Sequence, residues 1–413
     1  MLSPYRVLDL TTARGQLCGQ ILGDLGADVV QVEPPGGAPL RRIGPFVDHV
    51  PHPDRSLAWW AVSRNKRGVT LDLDDARGQE MLRRLAARAD FLIESETPGV
   101  QAKRGLDFAA LAAVNPKLVY VSITPFGQDG PKALWADSDL VLMAAGGPLL
   151  LTGDADRAPL RVSVPQAYAH ASAEAAAAAL IAHHERQRSG RGQHVDVSAQ
   201  QAVTLATQSN ILSSAVGFPD GHRVAGGAGI GPLVARFVFP AVDGHVSITF
   251  LFGSSVGPFT QRLMHWIADE GGCDAATRDK DWIRFFELMF SGEESFSELT
   301  RLQDVVAAFT RTKTKAELLD AALTRDLLIA PVATAREVVE NVHLAAREYW
   351  QTVEHPELGR SVRYPGPFAR LAATPIRYRR RPPTIGEHNA EVYAAELGLT
   401  PDELGALSAE GII

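Results

Sequence analysis

Few stretches of this 413-residue sequence combine reactive side chains with a spacing that chemistry requires. Gly253-Ser254-Ser255-Val256-Gly257 matches the G-x-S-x-G turn that lifts a nucleophilic serine off the end of a strand. A strand-like run precedes it and a helical pattern, Thr260–Ile267, follows. Ser255 is therefore a serine-hydrolase candidate, with Asp320 and His343 or His388 as downstream partners; a tight turn is the competing reading. The run Gly226-Gly227-Ala228-Gly229-Ile230-Gly231-Pro232 looks like a dinucleotide loop, but neither register fits. Pro232 falls where the last glycine is due, or Ala228 where the second is. Gly226, Gly227, Gly229 and Gly231 are left as an interdomain linker or a loop covering a substrate. No G-x-x-x-x-G-K-[ST] occurs, which excludes a P-loop. His183-His184-Glu185 is not H-E-x-x-H, and Cys18 and Cys273 lie 255 positions apart, so no metal site is expected.

The elements that would position any site alternate strand with helix. Tyr5–Leu10, Asp28–Glu33, Val69–Leu73, Phe91–Glu94, Leu118–Ile123 and His194–Val197 read as strands. Gln16–Leu25, Asp75–Ala89, Phe108–Val114 and the alanine-rich Ala169–Arg188 read as helices. That alternation predicts an α/β fold with a parallel, Rossmann-like sheet covered on both faces. Eight glycines or prolines between 213 and 235 mark a domain boundary. Beyond it, Ala241–His245 reads as a hairpin turn, and helices follow between 258 and 326.

Composition narrows the function classes. Lys and Arg number 41 against 48 Asp and Glu, a net charge of −7, which argues against nucleic acid because phosphate neutralisation needs excess cations. The hydrophobic fraction of 46% supports a large core, and the length suggests two domains. The longest apolar stretch, Ala171–Ala182, is interrupted by Glu174 and too short to span a bilayer. Met1–Val7 runs directly into a strand without a secretory leader pattern, so the expectation is a cytoplasmic protein with no membrane partner.

Six segments carry a more specific signal: 8–37 (LDLTTARGQLCGQILGDLGADVVQVEPPGG), 64–73 (RNKRGVTLDL), 118–131 (LVYVSITPFGQDGP), 188–198 (RSGRGQHVDVS), 327–350 (LLIAPVATAREVVENVHLAAREYW) and 382–400 (PPTIGEHNAEVYAAELGLT). In this order they resemble the family III CoA-transferases (CaiB/BaiF type), which include formyl-CoA, carnitine and benzylsuccinate CoA-transferases and the α-methylacyl-CoA racemases. The resemblance implies a large Rossmann-like domain built from both termini and a smaller α+β domain, with two chains interlocked as a dimer. The corresponding boundaries are 1–210 and 331–413 for the large domain and 223–330 for the small one. It also implies the reaction. An aspartate attacks an acyl-CoA thioester, a mixed anhydride and then an enzyme–CoA thioester form, and an acceptor carboxylic acid takes the CoA. CoA is then a substrate, with no tightly bound cofactor. By resemblance the CoA-binding positions are Thr12, Ala13, Arg14, Leu71, Asp74, Ser95, Lys103 and Arg104, and Gly226–Pro232 is the loop over the intermediates.

The sequence departs from this pattern where the chemistry is concentrated. The stretch matching the nucleophile motif is Pro159-Leu160-Arg161-Val162-Ser163-Val164-Pro165-Gln166-Ala167-Tyr168, which places Tyr168 at the aspartate position. A phenol with a pKa near ~10 is little ionised at pH 7, and its ester does not open the anhydride route. Asp74 follows Leu71-Asp72-Leu73 where a lysine is common, and Glu96 replaces an aromatic residue or arginine. Each carboxylate would repel a CoA phosphate by about 1 kcal/mol at 4 Å in bulk water, and by more in a lower dielectric. The expected function is a non-catalytic subunit of a heteromeric family III CoA-transferase, with a homologous aspartate-bearing chain as partner. Alternatives are a stand-alone acyl-CoA isomerase, racemase or lyase using Tyr168 with His170 nearby, and a scaffold without chemistry.

Overall fold

The computed structural model describes every residue except 219, 220, 231 and 232, with residue 230 described by its backbone only. Six strands, β1 (Arg6–Asp9), β2 (Asp28–Glu33), β3 (Lys66–Thr70), β4 (Phe91–Glu94), β5 (Val119–Thr124) and β6 (His194–Ser198), form one parallel sheet. Their order is β3-β2-β1-β4-β5-β6. The chain winds outward from β1 to β3, returns to the centre, and continues from β4 to β6. The direction reverses between β1 and β4, and the carboxyl ends of these two strands are where such sheets bind ligands.

The third strand begins three residues before the predicted one because its first residue is a buried lysine. Lys66 Nζ donates to Asp9 Oδ2 at 2.8 Å, Gln31 Oε1 at 2.9 Å and the Gln16 carbonyl at 2.8 Å. Its three protons are all used, which is the condition under which a charge is tolerated in a core. Hydrophobic alternation alone does not reveal this. The other Asp9 oxygen accepts from Thr11 N and Thr11 Oγ1, which fixes the turn leaving β1.

The helices of this layer are α1 (Gln16–Asp24), α2 (Leu57–Ser63), α3 (Ala76–Ala86), α4 (Val100–Lys103), α5 (Phe108–Val114), α6 (Asp139–Ala145) and α7 (Ala167–Ser189). Gly19 of α1 lies directly over Asp9: a Cβ there would meet Asp9 Oδ2 at 1.9 Å. Along α7, Ala167, Ala171, Ala175, Ala179 and Ala182 are buried at helical spacing, and this narrow stripe packs into a core with Val7, Leu22 and Val121. The C-terminal helix Asn389–Leu397 joins the same layer. Tyr393 is fully buried and donates through its hydroxyl to the Thr70 carbonyl at 2.7 Å.

The chain divides into two compact units: 1–146 with 162–206 and 342–413, and 147–161 with 207–341. The second unit contains a hairpin, β7 (Gly227–Ile230) with β8 (Leu233–Arg236). It also contains a three-stranded antiparallel sheet of β9 (Val238–Ala241), β10 (Gly244–Ile248) and β11 (Ile329–Pro331). Its core includes the aromatic side chains Trp266, Trp282, Phe250 and Phe285 among aliphatic ones. Among the described residues, no helix is long and apolar enough to cross a membrane.

Candidate functional site

The turns leaving β1 and β4 meet. Thr12 N donates to Ser95 Oγ at 2.9 Å, and the two hydroxyl oxygens are 3.1 Å apart. Beside this contact is a cavity of about 240 Å³ lined by Thr12, Leu71, Asp74, Glu96 and Arg104. The structure thus gathers four of the residues expected to bind CoA at the carboxyl ends of the strands. Ala13 is exposed nearby in the chain. Lys103 is exposed at the end of α4 and has no ion pair among the described residues.

The electrostatics of this cavity oppose a polyphosphate. Arg104 Nη2 and Nε reach Asp74 Oδ1 at 2.7 and 3.0 Å, and Arg104 Nη1 is 3.7 Å from Glu96 Oε1. The cation expected to meet phosphate is therefore shared between two carboxylates. Arg41, next to the lining residues Ala38 and Pro39, is also engaged. It grips Glu33 with two bonds of 2.6 Å, reaches Asp54 Oδ1 at 2.8 Å, and lies 3.8 Å above the Trp59 ring.

Tyr168 lies in the first turn of α7. That turn is fixed by Asp139 of α6, whose Oδ1 accepts from Gln166 N at 2.6 Å and Ala167 N at 2.9 Å. The Tyr168 hydroxyl donates to Asp137 Oδ2 at 2.5 Å, and Arg14 Nη2 reaches Asp137 Oδ1 at 2.5 Å. The Asp137 side chain is only 6% exposed. Burial, followed by the bond to Asp137, pushes the Tyr168 phenol well above the usual tyrosine range. A proton held this firmly is poorly suited to general acid–base work near pH 7. His170 is exposed.

Asp137 is the site residue that sequence reasoning missed as a partner of Tyr168. The Ser138 hydroxyl caps the next helix by accepting from Val141 N at 3.2 Å. No local pattern connects Asp137 to residues 31 positions ahead and 123 positions back.

Part of the glycine-rich run, read from the sequence as a linker or a loop covering a substrate, forms one strand of a hairpin. Gly227 and Gly229 lie on β7, paired with Arg236 and Val234 of β8. A Cβ on Gly227 would meet the Ala235 carbonyl oxygen at 2.1 Å, and one on Gly229 would meet His222 Nε2 at 2.1 Å. Gly226 turns into the hairpin with φ +65°, and Gly231 is outside the described residues. The composition marked close backbone approach in a hairpin.

The serine motif forms a turn, with Gly253 at φ +97° and Ser255 exposed. His388 accepts from Gly68 N through Nδ1 at 3.2 Å, which commits it to the β3 edge. The His183 ring packs edge-on to Tyr5 at 4.4 Å and contacts Arg186. No cluster of three or more His, Cys, Asp or Glu side chains that could hold a metal occurs among the described residues.

Comparison with known proteins matches this architecture over nearly its full length. The family model "CoA-transferase family III" matches residues 2–389. The chain is 34% identical to the succinyl-CoA:(R)-benzylsuccinate CoA-transferase subunit BbsE of Thauera aromatica, covering all of this chain and 98% of that one. It is 33% identical to the succinyl-CoA–D-citramalate CoA-transferase of Chloroflexus aurantiacus, covering all of this chain and 98% of the relative. The crystal structure of a CaiB/BaiF family protein from Brucella suis superposes with a TM-score of 0.81 at 26% identity, covering 95% of this chain and 98% of that one. With the parallel sheet, the cleft at its switch point and the full-length match all in agreement, the chain belongs to CoA-transferase family III.

Proposed function

We propose that this chain is the non-catalytic subunit of a heteromeric CoA-transferase that moves CoA between an acyl-CoA thioester and a carboxylic acid. The observation that carries this reading is the engagement of Tyr168 with Asp137. At the position where the family resemblance calls for an attacking carboxylate, the chain presents a phenol, and the nearby carboxylate is held by Tyr168 and Arg14. A carboxylate that accepts two short charge-assisted bonds in a buried setting is a weakened nucleophile. The clamp of Arg104 by Asp74 and Glu96 supports the same reading.

In this account a homologous partner chain supplies the aspartate and binds CoA in an interlocked dimer or higher assembly in the cytoplasm. This chain contributes scaffold and one wall of the acceptor pocket. The hairpin containing Gly226, Gly227 and Gly229 is proposed as part of that wall. Two of the relatives above act with succinyl-CoA, which makes a dicarboxylic acyl donor the first to assay. The raised phenol pKa of Tyr168 weighs against the isomerase alternative.

Reconstitution tests the proposal. The purified chain is expected to transfer no CoA from succinyl-CoA to (R)-benzylsuccinate or D-citramalate, and an aspartate-bearing homologue added to it is expected to restore transfer. Robust transfer by this chain alone would refute it.

A further inference from the structure

The second unit carries a helix that is apolar on two sides. Phe285–Ser291 buries Phe285 and Met289, one turn apart, and the Phe285 ring lies 4.7 Å from Phe252 and 5.8 Å from Trp282. The next residue of each pair faces water: Phe286 is 45% exposed and Phe290 59%. One apolar stripe holds a surface helix to its core, and the opposite face is ordinarily polar. Here the opposite face also presents phenylalanine.

The outer rings form a continuous strip. Phe286 and Phe290 are 4.8 Å apart, and Phe296, at the start of the next helix, meets Phe290 edge-on at 5.5 Å. Ile283, three residues before Phe286, is exposed as well. Single exposed apolar side chains are ordinary, whereas a contiguous aromatic group of this kind marks an interaction surface.

The surroundings are acidic. Between residues 285 and 300 the sequence has four glutamates and no lysine or arginine. Lys280 neutralises two of them, with Nζ 2.5 Å from Glu294 Oε1 and 3.2 Å from Glu298 Oε1. Glu287, which follows Phe286, pairs at 3.3 Å with Arg284, and both are exposed. Glu293 accepts from Ser291 Oγ, and Asp281 accepts from the backbone N–H groups of Ile283 and Arg284. Neither of these two carboxylates has an ion pair among the described residues. A second copy of this face would set like charges against each other, whereas a basic partner would complement them.

We propose that the Phe286–Phe290–Phe296 strip is a docking surface for a basic amphipathic helix of another protein. Apolar side chains of that helix, at spacings of three and four residues, cover the phenylalanines. Lysines or arginines beside them meet Asp281, Glu287 and Glu293. The surface uses none of the residues assigned to CoA transfer.

Fluorescence anisotropy of the full chain at pH 7 with a labelled leucine/lysine peptide of helical spacing tests this, with a leucine/glutamate peptide of the same spacing as control. Saturable binding of the lysine peptide is expected, with the glutamate peptide at least tenfold weaker. Phe286→Ser/Phe290→Ser is expected to weaken the lysine peptide at least tenfold, with the melting temperature close to wild type. That variant leaves the net charge unchanged, so unspecific attraction to an acidic protein would survive it. Should it fail to fold, Glu287→Gln/Glu293→Gln, at exposed positions, is expected to weaken binding at least threefold. Absence of saturable binding, equal binding of the two peptides, or affinity unchanged in the folded variants would overturn the proposal. So would a change of oligomeric state between wild type and the phenylalanine variant in analytical ultracentrifugation, because a second copy would then cover the strip.

Discussion

Tyr168 and Asp137 form a closed pair: the phenol donates to one carboxylate oxygen at 2.5 Å while Arg14 occupies the other. The hydroxyl thus neutralises a bonding need that a second carboxylate at position 168 could not meet. A Tyr168→Phe variant should lose about 1–3 kcal/mol of stability, the range for a hydrogen bond to a buried charged group. Urea unfolding monitored by circular dichroism reads this loss. CoA transfer by the reconstituted complex should stay within about twofold of wild type, because the phenol performs no chemistry.

The Asp74–Arg104–Glu96 clamp predicts a gain of function. In Asp74→Asn/Glu96→Gln the Arg104 guanidinium is released toward the cavity. CoA affinity measured by titration calorimetry should rise about tenfold, equivalent to about 1.4 kcal/mol. Asp74 is 80% exposed, so the gain should shrink at high salt.

Lys66 and Asp9 support the site from beneath. Removing the cation in Lys66→Met leaves a fully buried carboxylate without its counter-charge, at a cost of about 3–5 kcal/mol. Asp9→Asn added to that variant should recover much of the loss. Chemical denaturation of both variants measures the difference.

Glu94 makes stability depend on pH. Its carboxyl is pushed up to about 7 in the folded chain from the ordinary 4.5, chiefly through burial. Between these values the folded state binds the extra proton. This contribution is therefore fully present below about pH 4.5 and is lost as pH rises through 7. Unfolding free energies from pH 5 to 8 should fall with that slope in the wild type. The corresponding decline should be flattened in Glu94→Gln.

Much of the large sheet is legible in the sequence because its strands obey simple rules. The strands Asp28–Glu33 and Phe91–Glu94, and the helix Phe108–Val114 beside them, fall where their patterns place them. The strand at Lys66 is displaced because a triply bonded lysine breaks the hydrophobic rule, and the bonds that permit it come from residues 35 to 57 positions away. The hairpin at Gly227 was obscured because glycine marks both flexible loops and tight backbone contacts, and only the neighbours Ala235 and His222 distinguish them. At the site, the identity of Tyr168 and the acidic changes at Asp74 and Glu96 can be read from sequence. The engagement of Tyr168 by Asp137 and of Arg104 by both carboxylates cannot, since each depends on tertiary neighbours.

The central claim is that this chain carries no attacking carboxylate. Trapping the covalent intermediate in the reconstituted complex tests it most directly. After incubation with acyl-CoA and rapid quenching, intact-mass analysis shows which chain bears the thioester-linked CoA. The adduct is expected on the partner's aspartate and none on this chain. An adduct on this chain, at Asp137 or any other carboxylate, would contradict it.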